Sequence, residues 1–151
     1  MSVHTALHEI ADAGGDGLGR LLLRAVRAVN EQIIERLTSL GHPDIRGSHT
    51  AVFANLDGGG TRAVNLAQRA GMTRQAMSNL VRELEAAGYV VLAADPDDGR
   101  ASLVRLTARG ERFCQEAAVV IRRVESEYAQ RLGDPDLQQL RHSLRALAEQ
   151  P

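Results

Sequence analysis

The stretch Thr73-Arg74-Gln75-Ala76-Met77-Ser78-Asn79-Leu80-Val81-Arg82-Glu83-Leu84-Glu85-Ala86-Ala87-Gly88 sets the reading of the whole chain. Thr73 carries a hydroxyl able to accept from the unpaired N–H groups of a helix's first turn. Ala76, Met77, Leu80, Val81 and Leu84 then recur at three-and-four spacing, and Gly88 closes the segment. That apolar stripe must turn inward. It leaves Thr73, Arg74, Gln75, Ser78 and Asn79 outward on the amino-terminal half, with Arg82 one turn on. Helix surfaces are polar by default, so polarity alone decides nothing. Charge decides more: the helix holds no carboxylate before Glu83 and Glu85, so its first two turns can approach phosphates without repulsion. Arginine pairs well with guanine, glutamine and asparagine with adenine, and hydroxyls with phosphate oxygens.

Upstream, Thr61 to Ala70 reads as a shorter helix that starts on the Thr61 hydroxyl and carries Val64, Ala67 and Ala70 on one face. Gly71, suited to the left-handed conformation that ends a helix, joins the two. Downstream, Tyr89-Val90-Val91-Leu92 and Leu103-Val104-Arg105-Leu106-Thr107 read as short strands around a loop rich in Asp, Pro and Gly. The spacing predicts a hairpin whose tip holds Arg100 as its one cation among Asp95, Asp97 and Asp98. Arg100 can merely neutralise a carboxylate, a surface pairing worth about 0 to 1 kcal/mol. The fuller reading gives it two roles, with Asp98 orienting a guanidinium that borders a minor groove, where negative potential concentrates. Helix, turn, helix and hairpin together offer one helix and one hairpin tip to a long anionic groove. That is a winged DNA-binding module.

These residues resemble the MarR family of bacterial winged-helix transcription regulators. The match runs from Leu66 through Tyr89 and continues in Asp95-Pro96-Asp97-Asp98-Gly99-Arg100, where an Asp and an Arg stand one residue apart. It ends in Leu106-Thr107-Ala108-Arg109-Gly110, the family's Leu-Thr-x-x-Gly entry to the next helix. Gly99 stands where many members carry a second basic residue, which weakens the charge of the wing. The resemblance implies a homodimer joined through terminal helices, with double-stranded DNA as partner. It also implies a small, often aromatic anionic effector bound between the dimer helices and the winged part. Such a ligand weakens DNA binding only by favouring a spacing of the recognition helices that the operator disfavours. Arg46 and His49 could meet an anion there, or serve as surface and capping residues.

The flanks read as helices. Leu18, Leu22, Ala25, Val29, Ile33, Leu37 and Leu40 form one long stripe, ended by Gly41 and Pro43. A second, shorter helix is expected from Ser48 to Leu56, with Asp57-Gly58-Gly59-Gly60 as a flexible joint. After Thr107 a long helix carries Phe113, Ala117, Val120, Ile121, Val124, Tyr128 and Leu132 until Gly133-Asp134-Pro135 breaks it. The last helix presents Leu137, Leu140, Leu144 and Leu147. A winged module covers only part of these stripes, so a second copy is the favoured partner; first and last helices closing on each other within one chain is the alternative. The expected fold is therefore mainly α (α+β): a winged helix-turn-helix with a two-stranded β-hairpin wing and long terminal dimerisation helices. Residues 1–46 and 111–151 would form the dimerisation parts and 47–110 the DNA-binding part. Two-fold symmetry would then set two recognition helices about 34 Å apart on a near-palindromic operator.

Composition narrows the function. The 151 residues, 44% of them hydrophobic, suffice for one domain with an association element. No apolar run approaches the ~20 residues of a membrane span, and the start lacks a basic segment followed by an apolar one, so a cytoplasmic protein without membrane anchorage is expected. A net charge of −1 argues against indiscriminate polyanion binding. Within Thr61 to Arg112, however, eight arginines stand against six carboxylates, a local +2. Neither an enzyme nor a cofactor or metal protein is indicated. His4, His8, His42, His49 and His142 are scattered, Gly58-Gly59-Gly60 lacks the Lys-Ser/Thr of a phosphate loop, and the adjacent Asp97 and Asp98 splay apart. Cys114, the single cysteine, excludes an internal disulfide and reads as a buried structural thiol; a cysteine-based redox-responsive regulator is the alternative. A winged-helix protein-interaction module without DNA binding is the other, and the acid-free helix face argues against it.

Overall fold

A computed structural model describes residues 17–149; His4 and His8 lie outside them. The long apolar stripe of the first segment forms α1 (Leu18–Ser39), followed by a 3-10 turn (Gly47–His49) and a single helical turn, α2 (Thr50–Phe53). A short strand β1 (Thr61–Arg62) leads into α3 (Ala63–Arg69) and α4 (Arg74–Ala86). The hairpin strands β2 (Val90–Asp95) and β3 (Asp98–Leu106) come next, then α5 (Ala108–Leu132) and α6 (Asp134–Ala148). The fold is thus mainly helical with a small antiparallel sheet ordered β1-β3-β2. Among the described residues no helix is long and apolar enough to cross a membrane.

Four expectations change. The Ser48–Leu56 helix shrinks to a 3-10 turn and α2, because the Asn55 amide turns back to donate to the Ala51 carbonyl (2.8 Å) and the Asn55 carbonyl accepts from Arg69 (2.8 Å). Thr61 does not open a helix: its hydroxyl donates to Asp57 Oδ2 (3.0 Å) and accepts the Asp57 N–H (2.9 Å), while its backbone pairs with Val104. The Asp57–Gly60 segment is consequently tied rather than a loose joint, and Arg69 adds a 2.9 Å contact to Asp57 Oδ2. These donors hold the Asp57 carboxyl below the usual carboxylate range, Arg69 contributing most. Because α3 starts only after β1, its inward residues are Leu66 and Ala67, whereas Val64 is 39% exposed.

The hairpin is also longer than its apolar runs suggest. Pairing runs from Val90 opposite Leu106 to Asp95 opposite Asp98, with an irregularity at Ala94/Asp95. Only Pro96 and Asp97 are left at the tip, so Asp98, Gly99 and Arg100 are strand residues. Polar and glycine residues can hold a ladder at an exposed hairpin end because the backbone supplies the bonds, which a side-chain pattern does not reveal.

The core gathers around α4. Met77, Leu80, Val81 and Leu84 are buried against Leu66, Tyr89, Val90 and Val104, and the cluster continues through Leu37, Ile45, Val52 and Phe113 to Val120 and Val124. Each such side chain is worth about 1.5 to 3 kcal/mol of burial. The docking of α5 on this core uses Thr107, whose hydroxyl accepts the Gly110 N–H (3.1 Å) and donates to the Gly88 carbonyl (2.6 Å). Next to it, buried His42 bridges the Tyr89 hydroxyl (2.9 Å) and Glu116 (2.7 Å), and the Arg109 guanidinium lies 4.4 Å over the Tyr89 ring.

Candidate nucleic-acid interface

Local chemistry presents α4 as expected. Gly71 (φ 62°) makes the left-handed turn after α3, and Thr73 Oγ1 accepts the Ala76 N–H (3.2 Å) at the start of α4. Thr73, Arg74, Gln75, Asn79 and Arg82 are exposed and Ser78 is half-buried. They are not independent. Gln75 donates to Asn79 Oδ1 (3.2 Å), Arg82 donates to the same oxygen, and Arg82 Nε reaches the Ser78 carbonyl (3.3 Å). One oxygen thus orders two long donors, which lowers the entropy either would lose on meeting a base edge.

On the wing, Asp98 does not orient the Arg100 guanidinium. Its Oδ1 accepts the Arg100 main-chain N–H (3.1 Å), and its Oδ2 lies 3.4 Å from Arg62, leaving the exposed Arg100 side chain to solvent. The physical reason is competition: Arg62, brought alongside by the β1–β3 pairing, already occupies the acids of the hairpin. Arg62 sits 2.6 Å from Asp95 Oδ2, and Asp95 is 7% exposed, with its other oxygen accepting the Asp97 N–H (3.0 Å). Sequence reasoning missed Arg62. Its only trace there is a lone cation ahead of α3, because the contact exists only once β1 joins the sheet.

The Asp97 N–H and the Arg62 guanidinium hold the Asp95 carboxyl below its ordinary range. A depressed carboxyl stabilises the fold above its unfolded pKa and loses that contribution as pH falls through the folded one. The wing is therefore expected to loosen on acidification from about pH 4 downward. Amide protection over residues 90–106, taken relative to intrinsic exchange at each pH, checks this: Asp95→Asn should reduce the acid-dependent loss of protection, and an unchanged loss in that variant would count against the assignment.

Neither carboxylate on α4 is free. Glu83 accepts from Arg46 and from His49 Nε2 (3.0 Å), and Glu85 accepts the Leu92 N–H (3.3 Å). Arg46 and His49 thus serve as capping and pairing residues, with the Arg46 N–H donating to His49 Nδ1 (3.1 Å). Behind them, α1, α2 and α5 enclose an apolar cleft of about 340 Å³ lined by Ile33, Leu37, Phe53, Phe113, Cys114 and Ile121. Cys114 is half-buried there, and burial, then Glu111, pushes its thiol up, away from the reactive thiolate.

Two helices joined at Gly71 and a β2–β3 hairpin laid beside them define a winged helix-turn-helix protein. The MarR family profile matches residues 44–101. Over 88 residues, 58% of this chain, the sequence is 34% identical to the HTH-type transcriptional repressor Rv2887 of Mycobacterium tuberculosis, and the match spans 63% of that repressor's length. The crystal structure of the Mycobacterium tuberculosis MarR family protein Rv2887 with salicylic acid is similar over 87% of this chain and 96% of that one, at 30% identity and a TM-score of 0.63. CouR from Rhodococcus jostii RHA1, solved bound to p-coumaroyl-CoA, matches 91% of this chain and 95% of its own at 26% identity, with a TM-score of 0.69. The chain belongs to the MarR family.

Proposed function

We propose that this chain is a cytoplasmic transcriptional regulator that binds double-stranded DNA by sequence, as a homodimeric repressor on a near-palindromic operator. The observation that carries the reading is the α4 face: Arg74, Gln75, Asn79 and Arg82 are exposed together, and Glu83, the first acid on the helix, is offset by Arg46 and His49. Thr73 and Ser78 supply hydroxyls for phosphates, and Arg100 on β3 supplies a cation for the minor groove, its strand fixed by the Asp98 main-chain contact. Dimerisation draws support from the large apolar residues left exposed on α1 and α6.

A small aromatic or anionic effector would release the operator. Supporting this are the apolar cleft between the long helices and the winged part and the salicylic acid and p-coumaroyl-CoA of the two related structures. Occupancy would shift the spacing of the two recognition helices.

The test separates contact roles. Arg74→Ala or Gln75→Ala should cost about 1 to 3 kcal/mol per lost base contact and relax preference at one operator position. Arg100→Ala should weaken binding with little change in major-groove preference. Operator titrations of the three variants read this out, and wild-type affinity in all of them would remove the assignment.

A further inference from the structure

Glu83 is the first acid on the helix that the proposed function turns toward phosphates, where a carboxylate has the wrong sign. It is nevertheless engaged from two sides. Its Oε2 accepts from Arg46 Nη2 and from His49 Nε2, and these bonds draw its carboxyl below the ordinary range, His49 contributing most. His49 has no freedom to follow a moving partner: it is 2% exposed, and its Nδ1 accepts the Arg46 main-chain N–H. That acceptor role places the ring proton on Nε2, where it is donated to Glu83. The same turn also meets α1, because a Cβ on Gly47 would lie 3.5 Å from the Asn30 amide nitrogen. A short rigid segment, Arg46 to His49, therefore touches α1 on one side and α4 on the other.

The apolar stripe of α4, with Met77, Leu80, Val81 and Leu84 buried, fixes which side of the helix turns inward, but apolar contacts are non-directional and leave the last few degrees of rotation about the axis weakly set. Hydrogen bonds with a fixed imidazole do not. We infer that Glu83 is a positioning residue. Clamped by His49 and Arg46, it sets the rotation of α4 so that Arg74 and Gln75, more than two turns toward its amino terminus, meet base edges. This rests on the DNA-binding reading.

The clamp reverses the sign that charge alone predicts. Removing an acid beside DNA and freeing Arg46 should tighten binding to any duplex, whereas loss of the clamp should weaken binding to the one correct sequence. The full chain would first select its operator from random duplexes. Affinities for that operator and for a scrambled duplex of equal length would then be compared across salt concentrations. Glu83→Met, which keeps side-chain length without an acceptor oxygen for Arg46 and His49, should bind the operator at least about tenfold more weakly, as expected for a misaligned base contact, while binding the scrambled duplex equally or more tightly. Arg46→Ala, at an exposed side chain, should show the same loss of discrimination in part, and His49→Phe, which keeps ring volume without hydrogen bonds, should reproduce it. An unfolded variant would lose both duplexes together. Glu83→Met that keeps the wild-type ratio of affinities overturns the clamp alone; a wild-type chain that selects no operator overturns it together with the DNA-binding reading.

Discussion

Gly110→Ala should destabilise the protein by about 3 kcal/mol or more, although glycine to alanine inside a helix ordinarily stabilises by about 0.5 to 1 kcal/mol. The reversal follows from a contact between two backbones. A Cβ built on Gly110 would overlap the Tyr89 carbonyl oxygen, and Leu106 Cδ2 stands 3.1 Å away on another side. Neither party can yield cheaply. The Tyr89 carbonyl accepts the Thr107 N–H (3.1 Å), the Thr107 hydroxyl is held by the Gly88 carbonyl (2.6 Å), and Thr107 in turn caps α5 through the Gly110 N–H. Relief therefore means lifting α5 from the start of β2, which opens the packing of Tyr89 against Phe113 (5.4 Å between ring centroids). Denaturant unfolding at fixed protein concentration measures the effect, and thermal scans should show a fall of roughly 6 to 12 °C. Gly19→Ala in α1, where a Cβ meets nothing within 4 Å, is the control and should be neutral or stabilising. Equal stability of the two variants would show that α5 approaches β2 less closely than described.

The Gly110 position illustrates what a sequence exposes. Its place in Leu106-Thr107-Ala108-Arg109-Gly110 was legible as a pattern, but the reason for a glycine lies in a carbonyl 21 residues away. The same division holds elsewhere. The inward stripe of α4, its Thr73 cap and the Gly71 turn all depend on residues within a few positions, so periodicity and capping rules found them. The three-stranded sheet did not show, because β1 is two residues long and has meaning only against Val104 and Leu103. With β1 hidden, Arg62 was invisible as the partner of Asp95 and Asp98, and Asp98 was assigned to the wrong group of Arg100. The pairing of Arg46 and His49 was likewise hidden, because their partner Glu83 lies 34 residues beyond His49. Long-range pairing of polar side chains is the information that local rules lack.

Leu140→Glu combined with Leu144→Glu should convert the proposed dimer to a 16.3 kDa monomer and reduce operator affinity by about a hundredfold or more. Helix α6 carries a leucine every three or four residues and has no buried residue of its own. Helices of this length in proteins are held chiefly by packing of their apolar face rather than by propensity, yet Leu140 is 45% exposed and Leu147 41%. The amino-terminal half of α1 shares the deficit, with Leu23 at 73% and Val26 at 57%. Between them α1, α5 and α6 line an apolar cleft of about 570 Å³ bordered by Val26, Val29, Leu132, Leu137, Leu140 and Leu144. A second copy related by two-fold symmetry would cover both faces at once, since an isologous contact presents each patch to its counterpart. Two charges placed in that surface would have to be desolvated without partners on each subunit, so association fails before the winged part is disturbed. Binding would then lose bivalency while each single half-site is read as before, because Arg74, Gln75 and Arg100 are untouched. Light scattering and titration of whole and half operators check the two halves of the expectation. A variant that stays dimeric with wild-type operator affinity would move the interface away from α6, and one that loses half-site binding as well would show that the terminal helices support the winged part directly.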